Sequence, residues 1–174
     1  MKKLSFVLLL ASAIAVPASA QTKISGKQTC PKPDVQQSAD VTDMPGHALI
    51  LQKGTCTWDT PVQMAGLKSV SSVDVSTAEA WGPNVTQHGY STSTMDNGDT
   101  FTAKYSGTMK IGKDGAATFS GSWTFIAGTG KLKGLKGGGT YGGTGTADGA
   151  GTIAVKGDYT IVKAAASPTM KPAQ

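Results

Sequence analysis

The chain has 174 residues, a formal net charge of +5 at pH 7 and two cysteines. All 16 of its basic residues are lysines. Arginine is the residue that most often reads guanine edges and grips phosphates with two hydrogen bonds. The absence of arginine therefore argues against sequence-specific nucleic-acid recognition, and we predict no such partner.

The first twenty residues have the pattern of a secretory signal peptide. Lys2 and Lys3 precede an apolar run over residues 4–16, and the small residues 18–20 follow. Cleavage is expected after Ala20. The run is shorter than an ordinary transmembrane helix, so we predict no transmembrane anchor. An exported protein of a bacterial periplasm or medium is expected.

Residues 21–46 lack a hydrophobic period and carry several turn formers, so an extended arm is predicted. Cys30 lies in this arm, and Cys56 lies in the first long strand-like segment, residues 47–58. An even pair of cysteines in an oxidising compartment predicts a disulfide. This bond would tie the arm to the first strand.

Residues 47–163 are predicted to form one all-β domain, and residues 164–174 a flexible tail. Alternating apolar and polar residues, Asn-Gly and Gly-Pro turn signals and the lack of helical periodicity all favour antiparallel strands. We predict an antiparallel barrel of about seven to eight strands, with a β-sandwich as the alternative. Glycines on the predicted inward faces at 107, 121 and 157 favour the barrel, because glycine lets strands bend sharply.

The segment from Trp123 to Tyr141, WTFIAGTGKLKGLKGGGTY, precedes a closing strand VKGDYTI. It resembles the glycine-turn signature of the allene oxide cyclase-like barrel proteins, a calycin-type group that includes dirigent proteins. The matching residues are Gly128, Thr129, Gly130, Lys131, Leu132, Gly134, Gly137, Gly139, Thr140 and Tyr141. The resemblance implies a barrel. Plant enzymes of the group act on hydrophobic substrates inside it, and exported bacterial members mostly have no assigned activity.

No cofactor and no metal site are predicted. The glycine-lysine turn after Phe125 matches neither the phosphate-binding GxxxxGK[ST] motif nor the dinucleotide fingerprint, since Lys133 stands where the third glycine belongs. Two histidines without a cluster of carboxylates make a poor zinc site. The turn is better explained by glycines that adopt positive φ.

Glu79, His88 and Tyr90 are the candidate acid-base residues. Glu79 is the only glutamate, and it shares one face of a predicted strand with Val73 and Trp81. If that face points inward, Glu79 is a candidate general base or acid. The alternative is that Glu79 lies at the rim, in water.

The candidate ligand-binding residues are Trp81, Tyr105, Trp123, Lys131 and Lys133. Aromatic residues on the strands could line a cavity, and the lysines could form a cationic lip at one barrel mouth. The first hypothesis is a non-enzymatic exported barrel that binds a small apolar or amphipathic molecule. The alternatives are an isomerase or cyclase, and a structural or surface-interaction protein with a filled barrel. The oligomeric state is left open.

Overall fold

The computed structural model describes residues 21–162, so the expected signal peptide and the expected tail over residues 164–174 lie outside the described residues. In the described range no helix is long and apolar enough to cross a membrane. A single short 3₁₀ turn, Gly130–Leu132, accompanies the strands there. The ten strands are β1 (Thr22–Cys30), β2 (Val35–Asp40), β3 (His47–Thr60), β4 (Gln63–Met64), β5 (Leu67–Trp81), β6 (Asn84–Met95), β7 (Thr100–Ile111), β8 (Ala117–Gly128), β9 (Leu135–Gly145) and β10 (Gly151–Ile161).

Eight of these strands close into an antiparallel barrel, which confirms the predicted fold class over the sandwich alternative. The order around the wall is β3-β1-β10-β9-β8-β7-β6-β5, and β5 pairs again with β3. β2 and β4 are additional strands beside β3 and β5. The predicted hairpin turn at Asn97-Gly98 connects β6 to β7. Gly98 has a φ of 87° but Asn97 does not have a positive φ, so the turn is a type I turn followed by a glycine bulge rather than the type I′ turn that Asn-Gly favours.

The predicted arm over residues 21–46 is wrong for its first part, because β1 is a strand of the barrel wall. β1 lies between β10 and β3. Its inward-facing residues are Ile24, Gly26 and Gln28. That face carries one apolar residue, one glycine and one amide side chain. The sequence of β1 therefore lacks the hydrophobic alternation by which a strand is recognised. The barrel therefore begins before residue 47.

The seam between β1 and β3 is short, with only three residue pairs between them in the described chain. The predicted disulfide, Cys30–Cys56, is confirmed directly beside this seam. Past the disulfide the chain leaves the wall at Pro31 and continues along β3 as β2, whose six residues are all exposed. The disulfide thus joins the strands at the point where the barrel closes.

The two ends of the barrel differ. At one end, the interior is filled by buried apolar side chains: Val62, Met64, Leu67, Met95, Leu132 and Leu135. We call this the closed end. At the other end the interior space reaches the loop residues Pro31, Pro33 and Gly149. Pro31 and Gly149 are exposed, and we call this the open end.

On β5 the apolar face points away from the barrel interior. Val73 and Val75 are 40% and 41% exposed, whereas Ser72 and Ser76 are buried. Asp74, between the two valines, faces the interior with the serines. The polar residues of this strand therefore line the inside of the barrel, and its valines lie on the surface.

Candidate functional site

The interior of the barrel contains a cavity of about 190 Å³, which we call the lumen. Its polar wall comes from β5 and β6 and consists of Asp74, Ser76, Gln87, Ser91 and Ser93. Its aromatic wall comes from β7, β8 and β9 and consists of Phe101, Tyr105, Phe119, Trp123, Phe125 and Tyr141. The lumen is thus amphipathic, and it opens toward the loops of the open end.

Glycines on the inward faces make room for the aromatic side chains. A Cβ atom on Gly89 would lie 2.7 Å from the Tyr105 hydroxyl, and one on Gly157 would lie 2.6 Å from the Trp123 ring. Such distances are too short for a real Cβ, so each aromatic side chain packs over a glycine of another strand. The inward glycines therefore hold the aromatic wall in place.

Asp74 is the central polar group of the lumen. The Tyr105 hydroxyl donates a hydrogen bond of 2.8 Å to the Asp74 carboxylate. Burial raises the pKa of Asp74 from 3.8 to about 6, although the Tyr105 hydrogen bond opposes part of the rise. A carboxyl group with this pKa exchanges its proton near neutral pH, which makes it a candidate both for binding and for acid-base chemistry.

Two tyrosines lie beside Asp74. The rings of Tyr105 and Tyr141 meet edge to face with centroids 5.5 Å apart, and the Gln87 amide donates a hydrogen bond of 3.1 Å to the Tyr141 hydroxyl. Burial raises the pKa of Tyr105 far above its ordinary value, and the nearby Asp74 adds to that rise. Burial likewise raises the pKa of Tyr141. Both phenols therefore keep their protons and act as hydrogen-bond donors.

Two further polar atoms at the lumen are buried without a hydrogen-bond partner among residues 21–162. They are the Trp58 indole nitrogen (Nε1) and the Ser93 hydroxyl. By contrast, the Ser72 hydroxyl donates to the Gln28 side-chain oxygen at 2.9 Å. Buried polar groups are normally paired, so the two unpaired atoms are points where a polar group of an occupant, or a water molecule, would bind.

Glu79 and Trp81 lie outside the lumen. Both are on the outward face of β5, where the Glu79 carboxylate lies 2.9 Å from the His47 ring nitrogen Nε2. Trp81 stacks on the His47 ring with centroids 3.7 Å apart. The Glu79 hydrogen bond raises the pKa of His47, Asp43 on the other ring nitrogen adds to this effect, and burial opposes it. This cluster fastens the loop before β3 to the wall, away from the cavity.

His88, Tyr90, Lys131 and Lys133 also lie away from the lumen. His88 and Tyr90 are on the outer face of β6, where the Thr77 hydroxyl lies 2.9 Å from the His88 ring. The two lysines are exposed in the turn at the closed end, on either side of the fully buried Leu132. Of the sequence-predicted site residues, the structure brings Tyr105 and Trp123 to the lumen.

Sequence reasoning missed Asp74, Gln87 and Tyr141 as site residues. The pattern VSSVDVS on β5 holds the missing signal, since an aspartate in mid-strand alternates with valines. The ordinary interpretation places the valines inside, and nothing in the local pattern reverses it. No group of three or more histidine, cysteine, aspartate or glutamate side chains converges in residues 21–162 in a way that would hold a metal ion.

Comparisons with known proteins give one structural likeness to report. No family model matches the chain, and no curated protein matches it. Among solved structures, a pterocarpan synthase dirigent protein is 11% identical with a TM-score of 0.45, and the alignment covers 92% of this chain and 100% of that chain. A likeness at this level identifies neither a family nor a ligand. The resemblance of residues 123–141 to the allene oxide cyclase-like group remains a resemblance.

Proposed function

We propose that this protein is a binding protein whose barrel lumen takes up a small amphipathic molecule. The observation that carries the proposal is the division of the lumen into a polar wall around Asp74 and an aromatic wall around Trp123. An occupant with an apolar body and one polar group would satisfy both walls. A filled barrel would instead bring side chains together across the interior, as the closed end does.

The volume of the lumen limits the size of the occupant. Pockets for drug-sized ligands measure roughly 300–1,000 Å³, whereas an engineered apolar cavity of about 150 Å³ holds benzene. The lumen, at about 190 Å³, therefore suits a molecule built on a single aromatic ring or an aliphatic group of similar size. The polar group of the bound molecule would reach Asp74, the Trp58 indole nitrogen and the Ser93 hydroxyl.

We propose in addition that binding takes place outside the cytoplasm. Disulfides persist in oxidising compartments and are rare in the cytosol, and Cys30 and Cys56 form one here. The sequence of residues 1–20, with its signal-peptide pattern, supports the same conclusion. Signal-peptide cleavage after Ala20 would be checked by N-terminal sequencing of the protein recovered from its producing cell.

The binding proposal is tested by filling the lumen. Ala103 is buried on β7 and lines the cavity, whereas Ser106 is exposed on the outer face of the same strand. Calorimetric titration with benzyl alcohol and toluene should show binding to the wild type and to Ser106→Leu, and at least tenfold weaker binding to Ala103→Leu. Equal binding to both variants would contradict a site in the lumen.

A second candidate is an isomerase or cyclase, and a specific observation favours it. Asp74, with a pKa of about 6, is able to accept and donate a proton near neutral pH beside a bound substrate. Apolar epoxides are the substrates to try, since the resemblance of residues 123–141 implies hydrophobic substrates inside the barrel. Conversion by the wild type, together with retained binding and lost conversion in Asp74→Asn, would establish the enzyme over the binding protein.

A further inference from the structure

Asp74 is a partly buried carboxylate that has no cationic partner among residues 21–162. Among residues 21–162, no lysine or histidine lines the lumen, and Asp74 is its only acidic side chain. Uncompensated charges are costly inside proteins, which is why buried charges are normally paired. The ionised form of Asp74 therefore favours any occupant that brings a positive charge.

The groups that face Asp74 in residues 21–162 do not supply the positive charge that would compensate its carboxylate. β3 places Gly54 opposite Asp74, and β6 places Ser91 beside it. The titratable groups nearby are the phenols Tyr105 on β7 and Tyr141 on β9. Tyr105 is the one group of residues 21–162 that donates a hydrogen bond to the Asp74 carboxylate. The second carboxylate oxygen is left for a donor on the occupant.

The rest of the lumen suits an organic cation as well. Aromatic faces attract ammonium groups, and this attraction grows when water is excluded. Tyr141 on β9 and Trp123 on β8 line the same cavity as Asp74 and place aromatic rings beside it. An alkylammonium group keeps its proton at neutral pH, as a lysine does with a pKa of about 10.4.

We propose that the ligand of the lumen is a small amine, whose ammonium group pairs with the Asp74 carboxylate and whose single-ring apolar body packs on the aromatic wall. This inference rests on the proposed function and names the chemical class of the ligand. The lumen would then discriminate against neutral and anionic molecules of the same shape, because only a cation compensates the buried carboxylate.

The test compares benzylamine, benzyl alcohol, toluene and phenylacetate, which share one ring and differ in their polar group. We expect benzylamine to bind the wild type at least tenfold more tightly than benzyl alcohol at pH 7.5, with phenylacetate weakest. Asp74→Asn should remove this preference. Asp40→Asn, which changes the net charge equally at an exposed position of β2, should retain it. In the wild type, the preference for benzylamine over benzyl alcohol should fall as the pH is lowered from 7.5 to 5, because Asp74 then becomes protonated.

The outcomes separate the two proposals. If benzyl alcohol and toluene bind as tightly as benzylamine, the lumen is a binding site and the assignment of an amine is overturned. A preference for benzylamine that persists in Asp74→Asn, or that does not change down to pH 5, also overturns it. If none of the four compounds binds, the proposed function itself fails. Loss of the preference in Asp74→Asn and at pH 5 supports the assignment.

Discussion

Asp74 combines burial with ionisation close to neutral pH. Its carboxyl group lies in the lumen with one hydrogen bond from Tyr105, and desolvation outweighs that bond in setting its pKa. The neutral form therefore predominates in the barrel only below a pH of about 6, and the cost of desolvating the carboxylate lowers the free energy of unfolding above that pH. A ligand that stabilises the ionised form also stabilises the fold.

The first prediction concerns the pH dependence of stability. Asp74 titrates near 3.8 in the unfolded chain and at about 6 in the barrel. Between these pH values the folded state binds more protons than the unfolded state, so the free energy of unfolding falls as pH rises. Above a pH of about 6 this contribution of Asp74 leaves the free energy of unfolding about 3 kcal/mol lower than it is below pH 3.8. Urea unfolding of the wild type and Asp74→Asn from pH 4 to pH 8 measures this contribution.

The variant should gain stability relative to the wild type as pH rises through this window. The difference between the two proteins is the informative quantity, because Asp43, Asp99 and Asp148 have lowered pKa values and contribute in the opposite direction. A difference that does not change with pH would contradict the burial of Asp74.

The second prediction concerns the partner of Asp74. Tyr105→Phe removes the hydrogen bond that lowers the Asp74 pKa, so this pKa should rise further above about 6. Carbon-13 NMR of the Asp74 carboxyl group measures the change. Tyr90→Phe is the matched control, since Tyr90 is exposed on the outer face of β6. An unchanged Asp74 pKa in Tyr105→Phe would exclude the Tyr105 hydrogen bond from the site.

At the scale of the strand, β5 explains why the fold is easier to predict from the sequence than the site. The alternation of Val73 and Val75 with Ser72, Asp74 and Ser76 identifies a strand whichever face is buried. The orientation of that strand depends on its neighbours, since the large rings of β7, β8 and β9 fill much of the interior. Short polar side chains fit opposite those rings. The local sequence of β5 is enough to predict that a strand forms, but the face that the strand buries depends on residues of other strands.

β1 shows the same limit in another form. Its inward residues Ile24, Gly26 and Gln28 give no apolar period. Its place in the wall is set by pairing with β10 over nine residues and with β3 over three. Such long-range pairing is invisible to a pattern that is read along one segment. The two cysteines were the one local sign that this segment lies against β3.

The third prediction concerns the disulfide beside that seam. A covalent link between residues separated by 26 positions restricts the unfolded chain by about 3–4 kcal/mol on the chain-entropy model. Cys30→Ser with Cys56→Ser should therefore lose about that much unfolding free energy in urea. Ser25→Ala, a substitution at an exposed position of β1 that leaves the bond intact, serves as the comparison and should keep the unfolding free energy of the wild type. A loss below about 1 kcal/mol would show that strand pairing alone holds β1 to β3.

At the scale of the whole fold, residues 21–162 form a barrel with one end filled and one end accessible. Leu132 in the glycine turn and Leu135 at the start of β9 fill the closed end together with residues of β4 and β5. The resemblance of residues 123–141 predicts a barrel and locates this turn, but it does not indicate the end at which the cavity opens. That asymmetry arises because apolar side chains fill the closed end, whereas the loop residues Pro31, Pro33 and Gly149 border the cavity at the open end.

The measurement that tests the central claim most directly is a crystal structure of residues 21–174 grown with benzyl alcohol. We predict electron density for the ring against Trp123, with the hydroxyl group directed to the Asp74 side of the lumen. Density for benzyl alcohol only on the outer apolar face, around Val73 and Val75, or a lumen closed by its own side chains, would contradict the claim that the barrel is a binding site.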